Sequence, residues 1–295
     1  MSRVPESLPA TLTLPSDPSE VADARRCAEA AARLAGLDER AAGEVGLAVN
    51  EALANVIRHA YDGDAEGAIE VTFTDVGTGL AVDVRDWGNG TLPNPEAEHV
   101  LDPLAPGGLG LRCIEAAMDV VQFEPQPDGM RLRMCKRVAA GARAAAPAGA
   151  DAAGGTPGRG YTGGVSERVD LESDLVTDAH LVPSGEGGYT GDRPALVASL
   201  AGEVDLHNSP QLRGSLLAAV KKHEPGRVVF DLAEVPYMDS SALAVFVEAR
   251  REVDRLGGKI YLVNLTDRVR GLLEIARLDT IFTVSDSVDD ALSAD

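Results

Sequence analysis

The sequence predicts two folded domains of different class: an α+β domain first, an α/β domain second, and a flexible linker between them. Three observations carry this reading. The length of 295 residues suits two domains of ordinary size. Residues 138–164 read VAAGARAAAPAGADAAGGTPGRGYTGG, with ten Ala and eight Gly in 27 positions. Such a stretch cannot bury enough apolar surface to offset the entropy of ordering it. Before it, alternating strands gather as hairpins beside two helices; after it, strands and helices take turns. The expected boundaries are 1–137, 138–173 for the linker, and 174–295.

In the first block, Pro9–Leu14 (PATLTL) alternates as a strand. Ser19–Leu34 has helical periodicity, with Ser16 or Asp17 as N-cap and Pro18 in the first turn. A second helix runs from Leu37-Asp38-Glu39 to about Ala60, with Asp38 as cap. Its apolar positions are Val45, Leu47, Ala48, Ala52, Leu53, Val56 and Ile57. Ala68–Thr74 and Leu80–Arg85 alternate around Gly77-Thr78-Gly79, a hairpin signal. A Gly/Pro-rich stretch, 88–108, leads to a helix over Leu109–Met118 and strands at Val120–Phe123 and Met130–Cys135. The helices are expected on one face of a mixed or antiparallel sheet.

Charge and composition exclude several functions. The net charge is −20, with −11 in residues 1–137 and −5 in 195–295. Nucleic-acid binding needs a basic face, and an anionic membrane would repel this chain. No apolar run approaches the roughly 18–20 residues that span a bilayer. Cys27, Cys113 and Cys135 are odd in number and lack metal-ligand spacing, so a disulfide framework or zinc site is not expected. Met1–Leu14 has no basic start before an apolar core, which argues against a secretory signal and for the cytoplasm.

Three constellations carry chemistry. Glu51, Asn55 and His59 are spaced to share one stripe of the second helix. The ordinary meaning is a solvated polar face; the functional one is a carboxylate base beside an amide oxygen suited to Mg²⁺. Asp86-Trp87-Gly88-Asn89-Gly90 comes directly after a strand, and alone reads as a turn. Gly107-Gly108-Leu109-Gly110-Leu111 opens a helix, where backbone N–H groups can approach a phosphate.

Taken in this order, the three resemble the GHKL ATPase superfamily, and within it the small anti-sigma factor serine kinases. EVGLAVNEALANVIRHAY (44–61) resembles the N box, DWGNG (86–90) the first glycine box, and PGGLGLRCIEAAMD (106–119) the second. The resemblance covers nearly all of residues 8–137. It implies Glu51 as the general base that takes a proton from a protein serine, and Asn55 as the Mg²⁺ ligand on ATP. It implies Asp86 as acceptor for the adenine amino group, Gly88 and Gly90 lining the base pocket, and Gly108 and Gly110 at the lid and phosphates. His59 is read as structural. Some relatives carry an Arg just before the lid glycines, where this chain has Ala105-Pro106-Gly107. That departure bears on the rate of phosphotransfer more than on ATP binding. Histidine kinases share the ATP fold but need an upstream phosphoacceptor His, and none of the residues before the N box is His.

In the second block, Ala195–Leu200 is a strand, after an earlier one near His180–Val182. Ser209–Lys222 is helical with Pro210 at N1, and Arg227–Leu232 is a buried strand. Ser241–Leu256 is an amphipathic helix that ends at Gly257-Gly258. Lys259–Val263, Asp267–Ala276 and Ile281–Val284 continue the alternation, which predicts a mostly parallel sheet. Met238-Asp239-Ser240-Ser241-Ala242 stands at the start of a helix. One serine is the expected N-cap. The functional reading is a phosphorylation site on an exposed turn.

AGEVDL (201–206) and YMDSSALAVF (237–246) resemble the STAS domains of anti-sigma factor antagonists, over roughly 174–295. The resemblance implies Ser240 as the phosphoacceptor, with Asp205, Asp239 and Ser241 near it. Ala242 stands where the family usually has Gly.

Both resemblances on one chain point to a partner-switching regulator. The expected cofactors are ATP and Mg²⁺. The expected partners are a sigma factor, anti-sigma or antagonist proteins, the chain's own STAS domain in cis or trans, and a second copy in a homodimer. The alternative is a non-enzymatic nucleotide-binding scaffold whose STAS domain is phosphorylated by a separate kinase.

Overall fold

The computed structural model describes residues 4–89, 108–138, 167–186 and 189–294, which divide into two units. The Ala/Gly-rich stretch from 139 to 166 lies outside the described residues.

The first unit is an antiparallel sheet with helices on one face. Its strands are β1 (Ala10–Pro15), β2 (Ala68–Asp75), β3 (Gly79–Asp86), β4 (Val120–Gln126) and β5 (Gly129–Arg137), in the spatial order β1-β2-β3-β5-β4. Alternation sets the faces. Leu12, Leu14, Ile69, Val71, Phe73, Leu80, Val82, Val84, Leu132 and Met134 are buried. The other face carries cross-strand polar pairs such as Arg133 to Asp83 at 2.9 Å. The β2–β3 turn is held by the Val76 N–H to Gly79 O at 3.0 Å and the Gly77 N–H to Asp75 Oδ1 at 2.7 Å.

Three α-helices cover the apolar face: α1 (Val21–Leu34), α2 (Glu39–Asn55) and α3 (Leu109–Ala117). Asp17 caps a short 3₁₀ turn (Pro18–Glu20) by accepting the Ser19 N–H, so the expected helix from Ser19 starts as 3₁₀ and becomes α at Val21. Ser16 is not the cap; its hydroxyl donates to Asp64 O. Asp38 caps α2 by accepting the Ala41 N–H at 2.8 Å, as expected. The helices α1 and α2 approach closely at Gly46, where a methyl would lie 2.7 Å from Glu29 Cγ. Glu29 is itself held by Arg25 at 3.5 Å and Arg33 at 3.8 Å.

The second unit has a six-stranded sheet in the order β11-β10-β9-β8-β7-β6. Its strands are β6 (Glu167–Arg168), β7 (Val176–Val182), β8 (Ala195–Ala201), β9 (Arg227–Glu234), β10 (Lys259–Val263) and β11 (Thr283–Ser285). From β8 to β11 every pairing is parallel, and β6 and β7 join antiparallel. Helices α4 (Ser209–His223) and α5 (Ser240–Arg255) pack together, and Phe230 of β9 meets Phe246 of α5 with ring centroids 4.8 Å apart. The C-terminus of α5 closes as a Schellman motif, with Gly257 N–H on Asp254 O and Gly258 N–H on Val253 O, both 2.9 Å. After β10 comes α6 (Asp267–Ile275), capped by Thr266.

Two elements differ from expectation. The strand β6 falls inside the stretch read as linker to residue 173. Its residues pair with His180 and Leu181, and Val169 and Leu171 are buried, so 167–173 belong to the fold. The second unit also closes with a short helix that periodicity does not reveal, α7 (Val288–Ser293), capped by Ser287. Ala291 and Leu292 join a cluster with Val182, Tyr189, Val197, Val229, Tyr261 and Val263.

Arg227 fixes α7 in place. Its guanidinium donates to Ala291 O, Leu292 O and Ala294 O, each at 2.6 Å. It also lies over the rings of Tyr189 (5.2 Å) and Tyr261 (4.9 Å). A cation among the last carbonyls of a helix satisfies both their hydrogen bonding and the dipole. Arg227→Leu is expected to destabilise the second unit by about 2–3 kcal/mol, the scale for lost charge-assisted hydrogen bonds. Denaturant unfolding measures the loss, and hydrogen exchange should show the amides of α7 opening first.

Candidate functional site

The helix α2 is central to the first unit. Every residue from Val45 to Ala54 is buried, Glu51 fully so. The expected solvated polar face is therefore absent: Glu51 and Asn50 lie inside, among apolar neighbours on the same helix. Asn55, four residues on, is half-buried. One turn separates it from Glu51, about 6 Å along the axis.

The expected stripe ends there. Residues 56–60 form a π-helical turn, with the Tyr61 N–H bonded to Val56 O at 3.2 Å. A π turn holds more residues per turn than an α turn, so it rotates the later residues about the axis. His59 consequently leaves the Glu51–Asn55 line, and it is exposed. The structure joins Glu51 with Asn55 and separates His59 from both.

Asp86 ends β3 and is 3% exposed. Burial raises its carboxyl above the ordinary aspartate range; the Gly88 N–H at 3.0 Å, the Met130 N–H and the Arg85 charge pull the other way. Gly88 lies against the π turn, where a methyl would strike the Ala60 carbonyl oxygen. Its glycine is a close-packing requirement. Asn89 N–H bonds the same Ala60 oxygen at 3.0 Å. Gly90 and the stretch 105–107 lie outside the described residues.

Two residues that sequence reasoning missed complete this corner. Gly129 lets the β4–β5 turn pass over Asp86, since a side chain there would strike the Asp86 carbonyl. The signal was the Asp128-Gly129 dipeptide between two strands. Arg85, 9% exposed, donates to Asp86 O, to Met130 O at 3.1 Å and to Asp128, and lies 4.9 Å from the Trp87 ring centroid. Nothing in an alternating strand marks such an Arg.

Gly108 is the N-cap of α3, with φ +78°, a left-handed conformation that favours glycine. Gly110 lies in the first turn, and α3 packs on α2. The start of α3 can thus offer backbone N–H groups beside the helix that carries Glu51 and Asn55.

In the second unit, Asp239, not a serine, is the N-cap of α5. Its Oδ1 accepts from the Ser241 N–H (2.8 Å), the Ala242 N–H (3.2 Å) and the Ser241 hydroxyl. A carboxylate accepts several donors at once and suits the helix N-terminus, so it displaces the hydroxyl as cap. Ser240 is the first residue of the helix and is 5% exposed. The expected exposed turn is closed because a second loop is bonded to it. Val204 N–H bonds Tyr237 O (3.0 Å), Asp239 N–H bonds Val204 O (3.2 Å), and Leu206 N–H bonds Asp239 Oδ2 (3.0 Å).

That loop brings Asp205 to the same corner. Its carboxyl is raised, first by burial and then by the charge of Asp239, against the His207 and Asn208 hydrogen bonds. A carboxyl with a raised folded-state pKa costs stability when ionised, so stability falls as pH rises through its folded titration range. Asp205→Asn keeps an oxygen for the His207 N–H. It is expected to raise the melting temperature of the second unit at neutral pH. Melting curves against pH should show this gain shrinking below about pH 4, where aspartate is protonated in both states. In the first unit, Gly88→Ala is expected to cost about 3 kcal/mol through overpacking against backbone, read as an earlier melting transition.

The comparisons with known proteins divide at the same place as the fold. Residues 14–136 match the family described as the histidine kinase-like ATPase domain, and residues 189–291 match the STAS domain. A serine-protein kinase RsbW of Listeria innocua is 32% identical over 124 residues, covering 38% of this chain and 77% of that protein. An anti-sigma-B factor antagonist of Bacillus subtilis is 36% identical over 87 residues, covering 30% of this chain and 78% of that protein. An anti-sigma-B factor antagonist of Listeria monocytogenes is 36% identical over 86 residues, covering 29% and 74%. No helix among the described residues is long and apolar enough to cross a membrane. The chain belongs to the anti-sigma factor and antagonist partner-switching family, with a histidine kinase-like ATPase unit of the serine-protein kinase kind joined to a STAS unit of the antagonist kind.

Proposed function

We propose that this chain is a cytoplasmic regulator of sigma-factor activity that binds Mg-ATP in its first unit and phosphorylates Ser240 in its second, in cis or between copies. The observation that carries this is the presence, on one chain, of a unit related to a serine-protein kinase and a unit related to anti-sigma factor antagonists. The donor set suits the nucleotide. Asp86 is a buried acceptor for an exocyclic amine, with Gly88 beside it. Asn55 offers an amide oxygen to Mg²⁺, a hard ligand for a hard cation. Gly108, the left-handed N-cap, and Gly110 in the first turn would let the start of α3 approach the phosphates. ATP supplies the γ-phosphoryl group.

Glu51 would act as the base. A serine hydroxyl is a weak nucleophile, and the Glu51 carboxylate, one turn from Asn55, would take its proton once the serine reached it. The phosphate formed on Ser240 would add about −1.5 to −2 charge beside Asp205 and Asp239. Repulsion there would expel a partner docked on the turn, whether a sigma factor's kinase-like antagonist or the chain's own first unit. The tether between the units would hold the local concentration near about 1 mM, the scale for short flexible linkers. Neither nucleic acid nor a membrane is a partner in this scheme.

The sequence Ala105-Pro106-Gly107, where some relatives carry an Arg, favours a second reading. Without a local cation for the γ-phosphate the first unit would bind nucleotide and transfer poorly, and the chain would be a nucleotide-gated scaffold modified by a separate kinase. Either kinase would need the Val204–Leu206 loop to release the turn that buries Ser240. Intact-mass and peptide mapping of the full chain with Mg-ATP separates the two. The enzyme reading expects one phosphate, on Ser240, lost in Ser240→Ala. It expects Glu51→Ala to lower transfer at least about 100-fold, the lower range for general bases, while ATP binding persists. ATP binding without any phosphate overturns the self-phosphorylation of Ser240 and leaves the scaffold or a kinase for separate substrates.

A further inference from the structure

Tyr61 stands where the π-helical turn leaves the second helix, and it ties that turn to both neighbouring strands. Its hydroxyl donates to Ala68 O at 2.5 Å and accepts the Trp87 N–H at 2.9 Å. Ala68 opens β2, and Trp87 directly follows Asp86 at the end of β3. Its ring passes over Gly67, where a methyl would strike the ring carbons. One residue earlier, Ala60 O accepts the Asn89 N–H at 3.0 Å and crowds Gly88. Ala60 and Tyr61 therefore hold the three residues after Asp86. The same turn follows directly on Asn55.

We infer that Tyr61 is a positioning residue for nucleotide recognition, setting the Asp86–Gly88 segment relative to Asn55 without touching the reacting atoms. The inference rests on the nucleotide-binding reading above. A phenol suits the task because one oxygen donates and accepts at once, and the rigid ring carries it across the glycine. Burial raises the phenol above its ordinary range, so it keeps the proton that it donates to Ala68. The hydroxyl acts on the end of the site that would read the base. The end that would hold Mg²⁺ and the phosphates is carried by α2 and α3, which Tyr61 does not bond.

Tyr61→Phe keeps the ring on Gly67 and removes only the bridge. The test titrates the full-length chain and this variant with Mg-ATP and with Mg-ITP. ITP keeps the purine and lacks the amino group that Asp86 would accept from. Binding is read from the fluorescence of Trp87, the single tryptophan in the sequence. Wild type is expected to prefer ATP. The variant is expected to lose about 3- to 10-fold in ATP affinity, the range for one net hydrogen bond, with ITP affinity unchanged, so the preference narrows. Equal losses for both nucleotides, or no loss, overturn the positioning role. Absence of ATP binding by wild type overturns the nucleotide reading itself, and the role of Tyr61 with it. Should Tyr61→Phe fail to fold, Gly67→Ala, which displaces the same ring, is read on the same ATP/ITP ratio.

Discussion

The total burial of α2 between Val45 and Ala54 is the constraint on which the first unit depends. A helix covered by α1, by α3 and by the sheet has no face left for water, so each polar group on it needs a local partner or a function. Small residues make the enclosure feasible. Ala42, Ala48, Ala52 and Ala54 are all essentially inaccessible, and Gly46 admits Glu29 from α1. A helix so enclosed cannot shift or rotate without repacking three layers. That rigidity is what a site needs from the element carrying Glu51 and Asn55. The π turn at its end releases the chain from this enclosure and brings the backbone of Ala60 against the loop after β3.

Much of this architecture is legible in the residues, and the failures have physical causes. The hairpin at Gly77–Gly79, the caps Asp17 and Asp38, and the Gly257-Gly258 stop all rest on local chemistry, and each forms as expected. The π turn does not announce itself, because one additional residue in a turn leaves composition unchanged. The helix α7 is too short for periodicity, and its stability comes from Arg227, 64 residues upstream in sequence from Ala291. At Ser240 the local rule pointed to a hydroxyl cap, but the adjacent carboxylate won the competition. Whether that serine is open to solvent depends on the Val204–Leu206 loop, a tertiary contact no local pattern encodes.

The candidate sites differ in how they use acidity. In the first unit, Asp86 is isolated by burial and stabilised by two backbone N–H groups, an acceptor kept ready in a fixed direction. In the second, Asp205 and Asp239 are brought close enough for their charges to interact. Under the proposed function the first arrangement would recognise a donor. The second stores repulsion, held down by hydrogen bonds from the two loops, and a phosphate added there would tip the balance.

The lengths of the edge strands bear on solubility. The second sheet ends in β6, of two residues, and β11, of three; in the first sheet the edge strand β1 follows Pro9 and ends at Pro15, and the other edge, β4, of seven residues, carries Pro125. Exposed strand edges are templates for pairing with another sheet, and brevity and proline blunt them. A chain that carries two sheets has four such edges. Brevity at β6 and β11, and proline at β1 and β4, make each sheet a poor template for such pairing.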